Sequence, residues 1–225
     1  EHFIHLRCEV SVGDVVDHFD TFRDNGRVRL ASLMDHAPGQ RQFVSLDAYR
    51  IYYQGKKKLS DAEFAAYSAR RIAESEANSA RNRKLIAKRC QAAGIAMASH
   101  DDATAAHVKE SIDLGIALAE FPTTVEAAVL SRKAGLKVLM GAPNVVRGGS
   151  HSGNIAATDL AREGCLDVLS SDYVPGALIQ AAFMLPQVVE GVGLPRAIGM
   201  VTATPARAAH LADRGEIASG KRADL

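Results

Sequence analysis

Short apolar runs recur along the chain, and each stops at polar residues able to carry chemistry. Residues 4–9, 28–36, 94–100, 116–120, 137–141 and 166–172 follow this pattern. Short apolar runs of this kind, each closed by polar residues, predict the strands of a parallel sheet. Mostly helical patterns separate them, so the chain is predicted to be α/β, with parallel strands delivering their polar ends to one face. The central stretch is Gly94-Ile-Ala-Met-Ala-Ser-His100-Asp-Asp-Ala-Thr104, where a buried-strand pattern ends on an imidazole and two carboxylates. Strands of an α/β barrel present functional side chains at their C-terminal rim in this manner, which makes His100 a candidate metal ligand or catalytic base.

Helical spacing covers residues 12–25, with Asn25-Gly26 as a stop. Residues 60–94 give the longest helical signal, opened by a capping box of Ser60 and Glu63 and closed by Gly94. At about 1.5 Å per residue this segment would reach roughly 50 Å, so a break or a protruding hairpin is expected within it. Residues 101–113 and 123–134 predict two more helices, the second with Thr123 and Glu126 as its capping box and Gly135 behind its end. A Gly- and Ser-rich loop is expected over 142–154, holding Arg147 and His151, before a helix near 155–162. Such a turn, with amide donors beside a cation, suits an anion such as phosphate. From Gly176 the pattern is helical to about Leu211, interrupted at Pro186 and Pro195.

Composition narrows the classes. With 225 residues, 47% hydrophobic content and a net charge of +1, the chain can bury one sizeable core and carries no electrostatic footprint for nucleic acid or an anionic membrane. Cys8, Cys90 and Cys165 are odd in number and far apart, framing neither a disulfide scaffold nor a CxxC zinc site; reduced thiols in the cytoplasm are expected. The Gly-rich loop lacks the Gly-Lys-Ser/Thr ending of a P-loop and the GxGxxG spacing of a dinucleotide site.

Each polar strand end also has a bland reading. A lone histidine beside a strand is more often structural than a ligand, but His36 and His100 both end strand patterns and both have carboxylate neighbours. Glu9 reads as a surface charge unless the other ligands accompany it. Asp172 is balanced between catalysis and capping the next helix. Arg147 is balanced against simple solvation.

The run Thr202-Ala-Thr-Pro205-Ala-Arg-Ala-Ala, followed by Asp213-Arg-Gly215-Glu-Ile-Ala-Ser-Gly220-Lys-Arg-Ala-Asp224-Leu, resembles the closing signature of the amidohydrolase superfamily. The segments Met34-Asp-His36-Ala-Pro-Gly-Gln-Arg-Gln-Phe43, Ala98-Ser-His100-Asp-Asp-Ala-Thr104, Glu120-Phe-Pro-Thr-Thr124, Gly141-Ala-Pro-Asn144, Arg147-Gly-Gly-Ser-His151-Ser-Gly-Asn154 and Ser170-Ser-Asp172-Tyr are similar to its phosphonate-metabolism branch. The resemblance implies a (β/α)8 TIM barrel over residues 1–211 that lacks its N-terminal strands, with 212–225 as a return segment toward a small β-sandwich. It also implies Glu9, His36 and His100 as metal ligands and Asp172 as the carboxylate that takes a proton from metal-bound water. Arg41, Glu120, Arg147 and His151 are the implied substrate-binding residues.

The chain departs from the superfamily pattern in two places. It has no His-x-His, and it offers Glu120 where many relatives have histidine. No lysine stands at a strand end to bridge two metals as a carbamate, so Glu9 is the candidate bridge. The cofactor implied is a divalent metal, zinc first with iron or manganese as alternatives, one or two per chain. The implied activity is a diphosphatase acting on a sugar triphosphate and releasing pyrophosphate, in the cytoplasm, with neither nucleic acid nor membrane as partner and with self-association open. Hydrolysis of a C–N bond and a metal-free binding barrel are the alternatives. Six strands are two short of a closed barrel, so the natural protein is expected to extend beyond both ends, and residues 1–225 alone are not expected to be a competent catalyst.

Overall fold

The computed structural model describes residues 2–41, 46–150 and 154–222, and the chain divides into two compact units, 1–101 and 102–225. The first unit contains β1 (Ile4–Glu9), α1 (Val15–Phe22), β2 (Val28–Met34), α2 (Leu46–Lys57), α3 (Asp61–Ala93) and β3 (Ala96–His100). Its strands pair in parallel in sequence order, with Glu9 opposite Met34 and Leu33 opposite Ser99. That register brings the ends of the three strands level, so residues just past each end share one rim. All five residues of β3 are buried, as an uninterrupted apolar pattern requires.

The second unit contains α4 (Ala105–Asp113), β4 (Leu118–Glu120), α5 (Val125–Lys133), β5 (Lys137–Gly141), α6 (Ala142–Arg147), α7 (Ala157–Arg162), β6 (Val168–Ser170), α8 (Ala177–Val188), α9 (Leu194–Gly199) and α10 (Ala203–Ala208). Its strands are also parallel and in order, with Glu120 opposite Leu139 and Gly141 opposite Ser170. All six expected strands are present, each with ends close to those predicted.

The expected break in the long helix does not occur: α3 runs unbroken for 33 residues. Both of its predicted caps form, the Ser60–Glu63 box at the start and Gly94, at φ 66, at the end. The helix stays whole because it buries a polar stripe that the sheet satisfies. Asn82 donates to the carbonyls of Val10 (2.9 Å) and Val12 (3.0 Å), while Ser75 and Ser79 each donate at 2.7 Å to the buried Asp35 carboxylate. Arg83 lies 3.7 Å from the same carboxylate. Buried polar groups without such partners would cost about 1–3 kcal/mol each, so these bonds fix how α3 lies on the rim of β1 and β2. Its N-terminal turns pack against α2 through Tyr49, Tyr53, Phe64 and Tyr67, a ring cluster with Tyr49 and Phe64 almost fully buried.

Two local expectations are corrected. Thr124, not Thr123, caps α5, its side chain accepting from the Ala127 amide; the two threonines are chemically alike, and only the backbone turn chooses between them. Residues 142–147 are helix rather than loop, because Pro143 sits in the first turn, where its missing N–H costs nothing, and Gly148 at φ 77 ends the helix. Among the described residues no helix is long and apolar enough to cross a membrane.

The segment after α10 folds back on that helix through Gly215. A Cβ there would stand 2.8 Å from Ala203 Cα and 3.0 Å from the Thr202 carbonyl oxygen, at φ +88. Gly215→Ala is therefore expected to destabilise the protein by about 1–3 kcal/mol, since both the space and the backbone conformation exclude a side chain. Urea unfolding checks this, and an unchanged midpoint would mean that the segment moves aside freely.

Candidate metal centre

The rim of the first unit collects Glu9, His36, His100 and Asp101. Glu9 and His100 are the last residues of β1 and β3, and His36 stands two residues past β2. Glu9 Oε2 lies 2.6 Å from His36 Nδ1, and Glu9 Oε1 accepts the His36 backbone N–H at 2.9 Å. His36 Nε2 faces Asp101 Oδ2 at 3.7 Å, and His100 Nε2 faces the same oxygen at 3.5 Å. The two imidazoles meet edge to face, with centroids 5.4 Å apart.

One ligand atom from each of His36, His100 and Asp101 falls within 4.8 Å of the others. Two donors about 2.1 Å from a tetrahedral metal stand roughly 3.4 Å apart, so the 3.5 and 3.7 Å separations are those of a group that fits one small divalent ion. Two imidazoles and a carboxylate are also the donor types such an ion takes.

Electrostatics couple the members. Burial pushes the Glu9 carboxyl upward, but the hydrogen bonds and charge of His36 outweigh it and hold Glu9 below its ordinary value. Burial pushes His36 downward, and Glu9, with Asp101 behind it, outweighs this and raises it. A Glu9 carboxylate on Nδ1 favours the proton on that nitrogen and leaves the lone pair of Nε2, on the side of Asp101, to ligate a metal. Asp101 itself is held at φ 57, left-handed for a non-glycine residue, immediately after β3. Backbone strain of this kind costs about 1–3 kcal/mol and concentrates at functional sites.

Sequence reasoning points to His100 and misses Asp101, whose adjacency to that histidine is the available signal. Arg71 carries no comparable signal in the sequence. Its Nη2 donates to Glu9 Oε1 at 3.2 Å and to Ser11 Oγ at 2.9 Å. Arg41, later in the loop after His36, is buried with φ 29. Cys8 and Cys90 are buried thiols pushed up to about 12, so neither supplies a thiolate near neutral pH.

In the second unit, Glu120 ends β4 and is buried. Asp172 lies two residues past β6 at φ 48, and its Oδ2 stands 3.0 Å from where a Cβ on Gly141 would be. The helix-capping reading of Asp172 fails, because Gly176 is the N-cap of α8. Arg147 occupies the last turn of α6 rather than a helix start, and its Nη1 donates to the Tyr173 hydroxyl at 3.2 Å. His151 lies outside the described residues.

No protein-family model matches the chain. It is 54% identical over 226 aligned positions, all of this chain, to the α-D-ribose 1-methylphosphonate 5-triphosphate diphosphatase of Escherichia coli (strain K12). The chain spans 60% of that relative's length. Among solved structures, an uncharacterized metal-dependent hydrolase from Pyrococcus furiosus overlaps 63% of this chain and 34% of its own, with a TM-score of 0.48 at 15% identity. A Xaa-Pro dipeptidase with bound methionine overlaps 63% of this chain and 41% of its own, with a TM-score of 0.49 at 18% identity. At such scores these likenesses assign neither the barrel nor an activity.

Proposed function

We propose, taking the 54% identity across the whole chain as premise, that this chain is part of an α-D-ribose 1-methylphosphonate 5-triphosphate diphosphatase. The reaction is metal-dependent cleavage of that triphosphate to the 5-phosphate and pyrophosphate. The one observation that carries this reading is that identity, because it spans every strand end at which the candidate residues stand. The six strands belong, in this reading, to an amidohydrolase-type barrel over residues 1–211, with 212–225 leading toward a small β-sandwich.

His36, His100 and Asp101 hold the metal, zinc first; Glu9, expected from the sequence as a ligand and bridge, acts in this reading through its contact with His36 Nδ1 instead, and Asp101 takes the ligand place. A bound divalent ion supplies Lewis acidity and lowers the pKa of water. Glu9 keeps the His36 proton on Nδ1, and Asp172 accepts the proton of the attacking water. Arg147, with Arg41, Glu120 and His151, orients the triphosphate; a guanidinium matches phosphate oxygens in charge and hydrogen-bond geometry. Phosphoryl transfer leaves the protein mainly the work of positioning and of balancing charge on the oxygens.

Arg147→Ala is expected to lower kcat/KM for the triphosphate about 10-fold or more, the size of a lost charge-assisted hydrogen bond. Steady-state kinetics checks it, and unchanged constants would return Arg147 to the solvated surface. The function itself is tested by offering the intact, metal-loaded protein of which this chain is part a panel of nucleoside and sugar triphosphates beside cyclic amides. Pyrophosphate release from the ribose triphosphate supports the reading, and turnover confined to the amides replaces it with C–N bond hydrolysis.

A further inference from the structure

We infer that Arg71, in the interior of α3, is a positioning residue for the metal centre, acting through Glu9; this rests on the metal-binding reading of His36, His100 and Asp101. The Arg71 side chain is only 15% exposed, and its guanidinium is held at both ends, with Nη1 2.8 Å from Glu74 Oε2 and Nη2 between Glu9 Oε1 and Ser11 Oγ. Three donors thus meet on Glu9 Oε1: Arg71 Nη2, the Ser11 hydroxyl at 3.1 Å and the His36 amide at 2.9 Å. With that oxygen holding three donors, Oε2 faces His36 Nδ1 at 2.6 Å.

The chain of contact therefore runs from Arg71 to Glu9, from Glu9 to the His36 ring, and from the far nitrogen of that ring to Asp101. Arg71 also supplies the positive charge beside a partly buried carboxylate. Without it, Glu9 loses both a hydrogen bond and its compensating cation, is freed to rotate, and no longer fixes the His36 ring. Asn78 and Asn82 hold the same helix to the backbone of Ser11, Val10 and Val12, so α3 is a rigid mount for this guanidinium. A lysine keeps the charge but lacks the planar fork that spans Glu9, Ser11 and Glu74 together. Arg70, beside it in sequence, is 66% exposed, packs over the Tyr67 ring and lies 3.7 Å from Glu74 Oε1, and its partners include neither Glu9 nor Ser11.

Co²⁺ binding to the protein, followed by its visible absorption bands, is the test, because those bands report donor geometry independently of turnover. Outer-sphere partners of a metal-bound histidine typically contribute about 10–100-fold in affinity, and Arg71→Ala is expected to weaken Co²⁺ binding within that range and to alter the spectrum. Arg71→Lys should be intermediate, Arg70→Ala should match the wild type, and millimolar guanidinium chloride should restore part of the affinity of Arg71→Ala. If Arg71→Ala fails to fold, Arg71→Lys carries the test alone. Wild-type affinity and spectrum in a folded Arg71 variant would overturn the assignment. Failure of the wild-type protein to bind Co²⁺ would instead overturn the metal centre itself.

Discussion

Replacing His100 with alanine is expected to weaken divalent-metal binding by more than about 100-fold and to remove hydrolysis with it. Substitutions one shell removed from a metal typically cost about 10–100-fold, so loss of a direct donor must exceed that. His100 is buried at the end of β3, its Nε2 3.5 Å from Asp101 Oδ2, and no other imidazole among the described residues shares the cluster of ligand atoms with His36. Alanine removes the donor while keeping a residue compatible with a strand end, so circular dichroism should remain that of a folded α/β protein. Metal content after dialysis, measured beside the far-ultraviolet spectrum, decides the matter. A folded His100→Ala protein with full metal content would take His100 out of the centre.

Asp172→Asn separates proton transfer from metal binding. In the intact enzyme, turnover is expected to fall by a factor on the order of 10² or more while bound metal stays nearly constant. The amide is close to the carboxylate in size, and asparagine tolerates the left-handed backbone that Asp172 adopts at φ 48, so the local fold should survive. What changes is the ability to accept a proton. Gly141 makes room for this side chain, since any Cβ there would press on Asp172 Oδ2 at 3.0 Å. Loss of metal together with activity would make Asp172 a ligand, and unchanged turnover would remove it from the chemistry altogether.

The parts of the structure that were legible in the sequence are those set by local pattern. Strands buried on both faces leave uninterrupted apolar runs, and β5 begins and ends where its run does, whereas β1, Ile-His-Leu-Arg-Cys-Glu, alternates apolar and polar residues and buries only Cys8. Histidines at strand ends could be read the same way, because a polar residue that terminates such a run must lie at a rim. Arg71 could not be read. It is one basic residue in a helix rich in Ala, Glu, Arg and Lys, and only the register of α3 against β1 brings it to Glu9, 62 positions earlier in the chain. The continuity of α3 was hidden for a related reason: the middle of its buried face is Ser68, Ser75, Ser79, Asn82 and Arg83, which look like solvent positions until their partners are known. The helix over Ala142–Arg147 was obscured by its own proline and following glycines, which punctuate loops as often as they start and stop helices.

The central claim is that His36, His100 and Asp101 form one metal-binding group. Crystals of the protein grown with Zn²⁺ and measured on both sides of the zinc absorption edge test it most directly. The account predicts a single anomalous peak about 2.0–2.2 Å from a nitrogen of each imidazole and from an Asp101 carboxylate oxygen. A zinc peak coordinated elsewhere, with these three side chains left outside its reach, would contradict it.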